Sequence, residues 1–130
     1  MIDPFRQHGA FSWCELMTGD VEAAKTFYGS LFGWEYEYKE PLVPYHVVKA
    51  AGAPVGGIMA LPPERPGMPP HWGCCVTVDD VDATARKAEE LGASLCVPPT
   101  DIPGVGRFCV LQDPQGAVIS IITYAAECAG

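Results

Sequence analysis

The segment Phe11-Ser12-Trp13-Cys14-Glu15-Leu16-Met17 sets apolar residues against polar or small ones with a period near two, the pattern of a strand with two unlike faces; residues 72–78 read the same way. After each of these runs the pattern changes to helical spacing. At both changes stands an aspartate, Asp20 and Asp80, placed to cap exposed backbone N–H groups and to favour the positive end of a helix dipole. The first helix is expected to end at Gly29 or Gly33 and the second at Gly92, since glycine accepts the left-handed conformation that closes a helix. Three short strands follow each helix. In the first half they span 34–40, 45–50 and 55–61, separated by Pro41, Pro44 and the Gly52-Ala53-Pro54 turn. In the second half they span 93–97, 106–112 and 117–124, separated by Pro98-Pro99, Pro103-Gly104 and the turn Asp113-Pro114-Gln115-Gly116.

One unit is therefore written twice. Thr18-Gly19-Asp20-Val21-Glu22-Ala23 is answered 60 positions later by Val78-Asp79-Asp80-Val81-Asp82-Ala83, and Leu31 by Leu91. Each half reads β-α-β-β-β, which makes the chain α+β: module one at about 8–61, module two at about 71–124, and between them the proline-rich connector 62–70, too rich in proline for a helix or a central strand. A half of this length buries too little surface to stand alone, so one domain over 1–130 is expected. Helical spacing assigns Phe27, Leu31 and Phe32 to the inward face of the first helix, with Tyr28 and Trp34 also in the core.

Charge narrows the choice of partners. A net charge of −8 with 8 Lys and Arg leaves no basic stripe for a phosphate backbone or an anionic membrane. No apolar run has the length of a membrane span and the N-terminus lacks the pattern of an export signal, so a cytoplasmic location is expected and the six cysteines are read as reduced. There is no CxxC pair, and Cys74 and Cys75, adjacent on a strand, point to opposite faces. Cys14, Cys74, Cys96 and Cys109 read as small hydrophobes, and Cys128 as part of a frayed tail. No nucleotide-binding glycine motif is present, and turn geometry accounts for Gly56-Gly57.

The run Phe27-Tyr28-x-x-Leu31-Phe32-Gly33, together with the Asp113-Pro114-x-Gly116 turn and the doubled module, resembles the vicinal oxygen chelate superfamily of glyoxalases, bleomycin-resistance proteins and extradiol dioxygenases, over about residues 8–124. The wider phrase Trp13-Cys-Glu-Leu-Met-Thr-x-Asp20-x-x-Ala-Ala-Lys-x-Phe-Tyr28 is similar to a bacterial, glyoxalase-related subgroup. The resemblance implies a curved mixed sheet forming a cup, helices outside, with one metal ligand from the first and last strand of each module. The corresponding positions here are Trp13, Ala60, Gly73 and Ser120, none of them a His, Glu or Gln. No metal and no cofactor are expected.

Residues left to carry function follow from strand parity. Trp13, Glu15 and Met17 share one face, which the resemblance turns into the cup; a carboxylate between Trp13 and Met17 loses solvent and its pKa rises, as a general base requires. Glu15 is the leading catalytic candidate, with an ion pair to Arg107 or Lys49, or a place facing water at the strand end, as the plain alternatives. His46, and His71 beside the connector, are candidate proton carriers. Trp13, Tyr45, Trp72 and Tyr124 supply walls for a flat ligand, and Met17, Cys75, Arg107 and Ser120 complete the predicted lining. Three functions compete: metal-free binding of a small organic molecule, a metal-independent lyase, isomerase or epimerase using Glu15, and a structural dimerisation module. A homodimer is expected because one short chain covers its sheet edges and apolar rim poorly.

Overall fold

The computed structural model describes residues 1–40, 42–63 and 67–125. Pro41, the centre of the connector at 64–66, and Cys128 lie outside the described residues. Among the described residues eight strands and two helices follow in the expected order, and the chain divides into two units, Trp13–Gly73 and Met1–Ser12 with Cys74–Gly130.

In the first unit, strand β1 (Phe11–Thr18, its first two residues grouped with the other unit) leads to α1 (Val21–Phe32), followed by β2 (Glu35–Lys39), β3 (Tyr45–Ala50) and β4 (Ala53–Ala60). The sheet order is β2-β3-β4-β1, antiparallel except for β4 beside β1. Asp20 caps α1 by accepting the Ala23 N–H at 3.0 Å, and Gly33 ends it with φ +74°. Leu16, Val48 and Ile58 form the core on the helix side of the sheet, packed by Val21, Ala24, Tyr28, Trp34 and Tyr36. Ile58 is fully buried; Ile58→Ala is expected to cost about 2–5 kcal/mol, measured by chemical denaturation.

In the second unit, β5 (His71–Thr77) begins within the other unit and continues to α2 (Val81–Glu90), then β6 (Ser94–Ile102), β7 (Gly106–Gln112) and β8 (Val118–Tyr124). The order is β5-β8-β7-β6, with β5 and β8 parallel. Asp80 caps α2 as Asp20 caps α1, and Val78, Val81, Ala85, Cys109, Leu111 and Ile121 close the core. Asp113 earns its place in the last hairpin: its carboxylate accepts the N–H groups of Gln115 and Ala117, while its carbonyl accepts that of Gly116. The N-terminal segment pairs with Thr77 through Gly9 and Ala10, and Phe5 packs edge-on against Tyr124.

Three expectations are corrected. Strand β6 runs through Pro98-Pro99 rather than stopping before them, because among the described residues it pairs with β7 alone and absorbs the missing N–H groups in two register shifts. Gly56-Gly57 is not a turn but the buried middle of β4, where a Cβ on Gly56 would stand about 2.5 Å from the Cys14 carbonyl oxygen. Phe27, Leu31 and Phe32 are exposed; the inward stripe of α1 is Val21, Ala24 and Tyr28, one step round the helix.

Candidate functional site

Strand parity sorts the residues of the Trp13–Gly73 unit. Leu16 belongs to the core under α1, so Trp13, Glu15 and Met17 project from the sheet's other face. Val48 lies in the same core, which puts Tyr45, Val47 and Lys49 on the face of Glu15 and sends His46 to the helix side. Across β4, Glu15 and Val47 both pair with Gly57, and Met17 pairs with Met59.

A chain of hydrogen bonds crosses this helix-free face. The Trp13 indole N–H donates to the Tyr45 hydroxyl at 2.8 Å, and that hydroxyl donates to a Glu15 carboxylate oxygen at 2.6 Å. Gly57 makes the crossing possible, since a Cβ there would occupy the space of the Tyr45 ring and hydroxyl. Burial raises the Glu15 pKa above 4.5; the Tyr45 hydrogen bond and the field of His71 oppose the rise but do not cancel it. The phenol thus favours the anion while its surroundings favour the acid, a balance that lets a carboxyl take up and release a proton closer to neutrality than a solvated one. Neither cation proposed as a partner for Glu15 serves it: Lys49 binds Glu37 at 2.6 Å, and Arg107 is in the other unit, engaged elsewhere.

The remaining predicted residues scatter. His46 packs edge-on against Tyr38 on the helix side, its pKa lowered first by burial and then by Lys25, so it does not share a face with Glu15. Trp72 donates to the Tyr28 hydroxyl at 3.2 Å and packs against Tyr28 and Trp34, also on the helix side. Cys75 and Ser120 are register partners on β5 and β8. Arg107 pairs with both carboxylate oxygens of Asp82, at 2.8 and 3.0 Å, and with Asp101 at 3.0 Å. Its strand neighbour Cys109, two residues on, lies in the α2 core, so Arg107 stands on the helix side of its sheet, opposite Cys75 and Ser120. Clefts of about 470 and 270 Å³ open in this unit, the larger lined by Asp79, Asp82, Asp101, Arg107 and Tyr124, the smaller by Phe5, Arg6 and Tyr124.

Sequence reasoning treated Tyr45 as a wall and missed it as the hydrogen-bond partner of Glu15. The available signal was the side-chain-free Gly57 in a strand otherwise fit for burial. Among the described residues, no group of three or more His, Cys, Asp and Glu side chains gathers in a way that could hold a metal ion, and no helix is long and apolar enough to cross a membrane.

The chain is 43% identical over 121 residues to CFP32 of Mycobacterium tuberculosis, named as a glyoxylase, covering 92% of this chain and 46% of that protein. It is 32% identical over 127 residues to the anthracycline biosynthesis protein DnrV of Streptomyces peucetius, again covering 46% of it, so the chain spans about half the length of these relatives. Among solved structures, methylmalonyl-CoA epimerase from M. tuberculosis superposes with a TM-score of 0.68 at 17% identity over 93% of this chain and 91% of the other. The Mn(II)-bound glyoxalase from Novosphingobium aromaticivorans gives 0.62 at 20% identity over 88% of this chain and 39% of the other; both likenesses concern the fold alone. With the description Glyoxalase/Bleomycin resistance protein/Dioxygenase superfamily matching residues 10–121, the chain belongs to that superfamily.

Proposed function

We propose that this protein binds a small organic molecule on the helix-free face of the Trp13–Gly73 unit, around Trp13, Glu15, Met17 and Tyr45, and that it does so without a metal. The observation that carries this reading is the Trp13–Tyr45–Glu15 chain: a desolvated carboxyl held by the Tyr45 hydroxyl, which the Trp13 indole holds in turn, on a face shared with Met17 and Met59, which is the mix of apolar surface and a few fixed polar groups that ligand sites use. The residues at the four positions where the superfamily resemblance implies metal ligands do not fit a divalent ion. Trp13 offers an indole N–H, Ala60 and Gly73 offer nothing, and Ser120 only a neutral hydroxyl.

The chain's charge also bears on the ligand. A CoA thioester, as in methylmalonyl-CoA epimerase, carries several phosphates and meets a chain of net charge −8 whose Lys49 and Arg107 are already paired. An uncharged, partly aromatic molecule suits the face better. Elemental analysis of the purified protein is expected to find no stoichiometric Zn, Ni, Mn or Fe, and about one metal per chain surviving dialysis would contradict the metal-free reading. Ligand binding, read as a thermal shift across a panel of uncharged aromatic and carbonyl compounds, is expected to disappear in Trp13→Ala. Undiminished shifts in that variant would move the site elsewhere.

The raised pKa favours a second reading, in which Glu15 takes a proton from carbon beside a carbonyl and returns it, as in an isomerase or epimerase. In that case Glu15→Gln binds the compound but no longer catalyses exchange of its carbon-bound hydrogen with deuterium from solvent. A protein that only binds shows no catalysed exchange in either form.

A further inference from the structure

Glu15 has a glycine on either side of it, and the two serve it differently. Gly57 on β4 pairs with Glu15 and gives up its space to the Tyr45 ring. Gly73, at the start of β5 and within the same unit, keeps its space open. Apart from its chain neighbours, a Cβ built there meets, among the described residues, only the Glu15 carbonyl oxygen, at 3.9 Å. Two positions before Gly73 stands His71. Trp72 between them is bonded to Tyr28 on the helix side, so strand alternation puts His71 on the face of Glu15. Its field reaches the Glu15 carboxyl, as that of a neighbour on one face should.

The polar hydrogens of this face are already committed. The Trp13 indole N–H goes to Tyr45 and the Tyr45 O–H goes to Glu15, while His71 Nδ1 lies 2.9 Å from the Pro69 carbonyl oxygen. A carbonyl oxygen only accepts, so Nδ1 carries the proton of the neutral imidazole and Nε2 is left with a bare lone pair. The second oxygen of the Glu15 carboxylate is an acceptor as well. We infer that the open space over Gly73 takes the hydroxyl of an uncharged aromatic molecule, a phenol in the simplest case, which donates to His71 Nε2 while its ring lies on the Trp13 and Met17 side chains. This rests on the reading that the Glu15 face is the ligand site, and adds what that site selects: a molecule that brings its own hydrogen. An ether or carbonyl oxygen in the same place faces lone pairs and has nothing to accept from. The burial that pushes Glu15 towards its neutral form also penalises an ionised group on the ligand, which favours a hydroxyl over an ammonium.

Titration of the intact protein with β-naphthol and with its methyl ether, followed at the Trp13 indole N–H by nuclear magnetic resonance, tests this. The two probes share a ring system and differ in the one hydrogen that the site requires. The wild type is expected to bind the naphthol at least about tenfold more tightly than the ether, the scale of one hydrogen bond to an otherwise unmet acceptor. In His71→Phe, which keeps a flat ring and removes the acceptor, the naphthol is expected to lose that advantage while the ether binds as before. The unchanged ether shows that the variant is folded and its apolar walls are intact. Equal affinities in the wild type, with the Trp13 signal moving for both probes, would overturn the hydroxyl requirement and leave the ligand site standing. A preference for the naphthol that survives His71→Phe in full would overturn the role of His71. A Trp13 signal that neither probe moves would overturn the site and its selectivity together.

Discussion

Gly57→Ala is expected to unfold the protein at markedly lower denaturant concentration, because a methyl group there falls within the space of the Tyr45 ring and hydroxyl. Overpacking alone costs about 1–3 kcal/mol. The displaced hydroxyl also leaves both Trp13 and Glu15 without their hydrogen-bond partner, which adds about 1 kcal/mol for each bond lost. The clash is with one side chain, so it has a genetic signature. In a Tyr45→Ala background the same glycine replacement is expected to be nearly harmless, and the two substitutions should be strongly non-additive. Equal costs in both backgrounds would mean that β4 itself, and not the crossing of Tyr45 over it, demands a glycine. Trp13 emission offers a parallel reading, since its indole loses the Tyr45 hydroxyl in either variant.

Glu15→Gln is expected to raise the melting temperature at neutral pH. Folding lifts the Glu15 pKa above its ordinary 4.5, so the folded protein prefers the protonated form. The stabilisation linked to that proton is complete below pH 4.5 and is lost as pH rises through the elevated folded value. At neutral pH, above 4.5, folding therefore costs the wild type either a carboxylate in surroundings that disfavour it or the uptake of a proton, while glutamine keeps an oxygen to accept the Tyr45 hydroxyl and carries no charge. The advantage of the variant is expected to shrink as pH falls towards 4.5. A glutamine variant less stable than wild type at neutral pH would show that the anion is welcome in the fold and that the Tyr45 bond and His71 outweigh its burial.

Much of the fold was legible because the chain states its plan twice. Asp20 and Asp80 marked helix starts that the structure realises with the same bond, and the Asp113–Gly116 turn appears where its residues demanded it. Parity on β1 put Glu15 beside Trp13 and Met17 correctly, since a strand with one buried face has no freedom of register. The same rule already separates Tyr45 from His46, and Trp72 from Cys75, although all four were candidates for one site. What parity could not supply was which strand lies next to which: Tyr45 meets Glu15 only because β4 runs between β3 and β1. The helix face failed for a different reason. Phe27, Leu31 and Phe32 are the most apolar residues of α1, and an amphipathic reading turns the most apolar side inward; the sheet instead takes Val21, Ala24 and Tyr28, leaving the greasier side outward.

The most direct test of a metal-free ligand site at Glu15 is a nuclear magnetic resonance titration in buffer containing a strong chelator, following the Trp13 indole N–H and the Met17 methyl group while uncharged aromatic and carbonyl compounds are added. Saturable shifts of these two signals, with the indole N–H moving as its bond to Tyr45 is perturbed, are the predicted result. Shifts that appear only when a divalent metal is restored, or that gather instead around Arg107 and Tyr124 in the larger cleft, would contradict it.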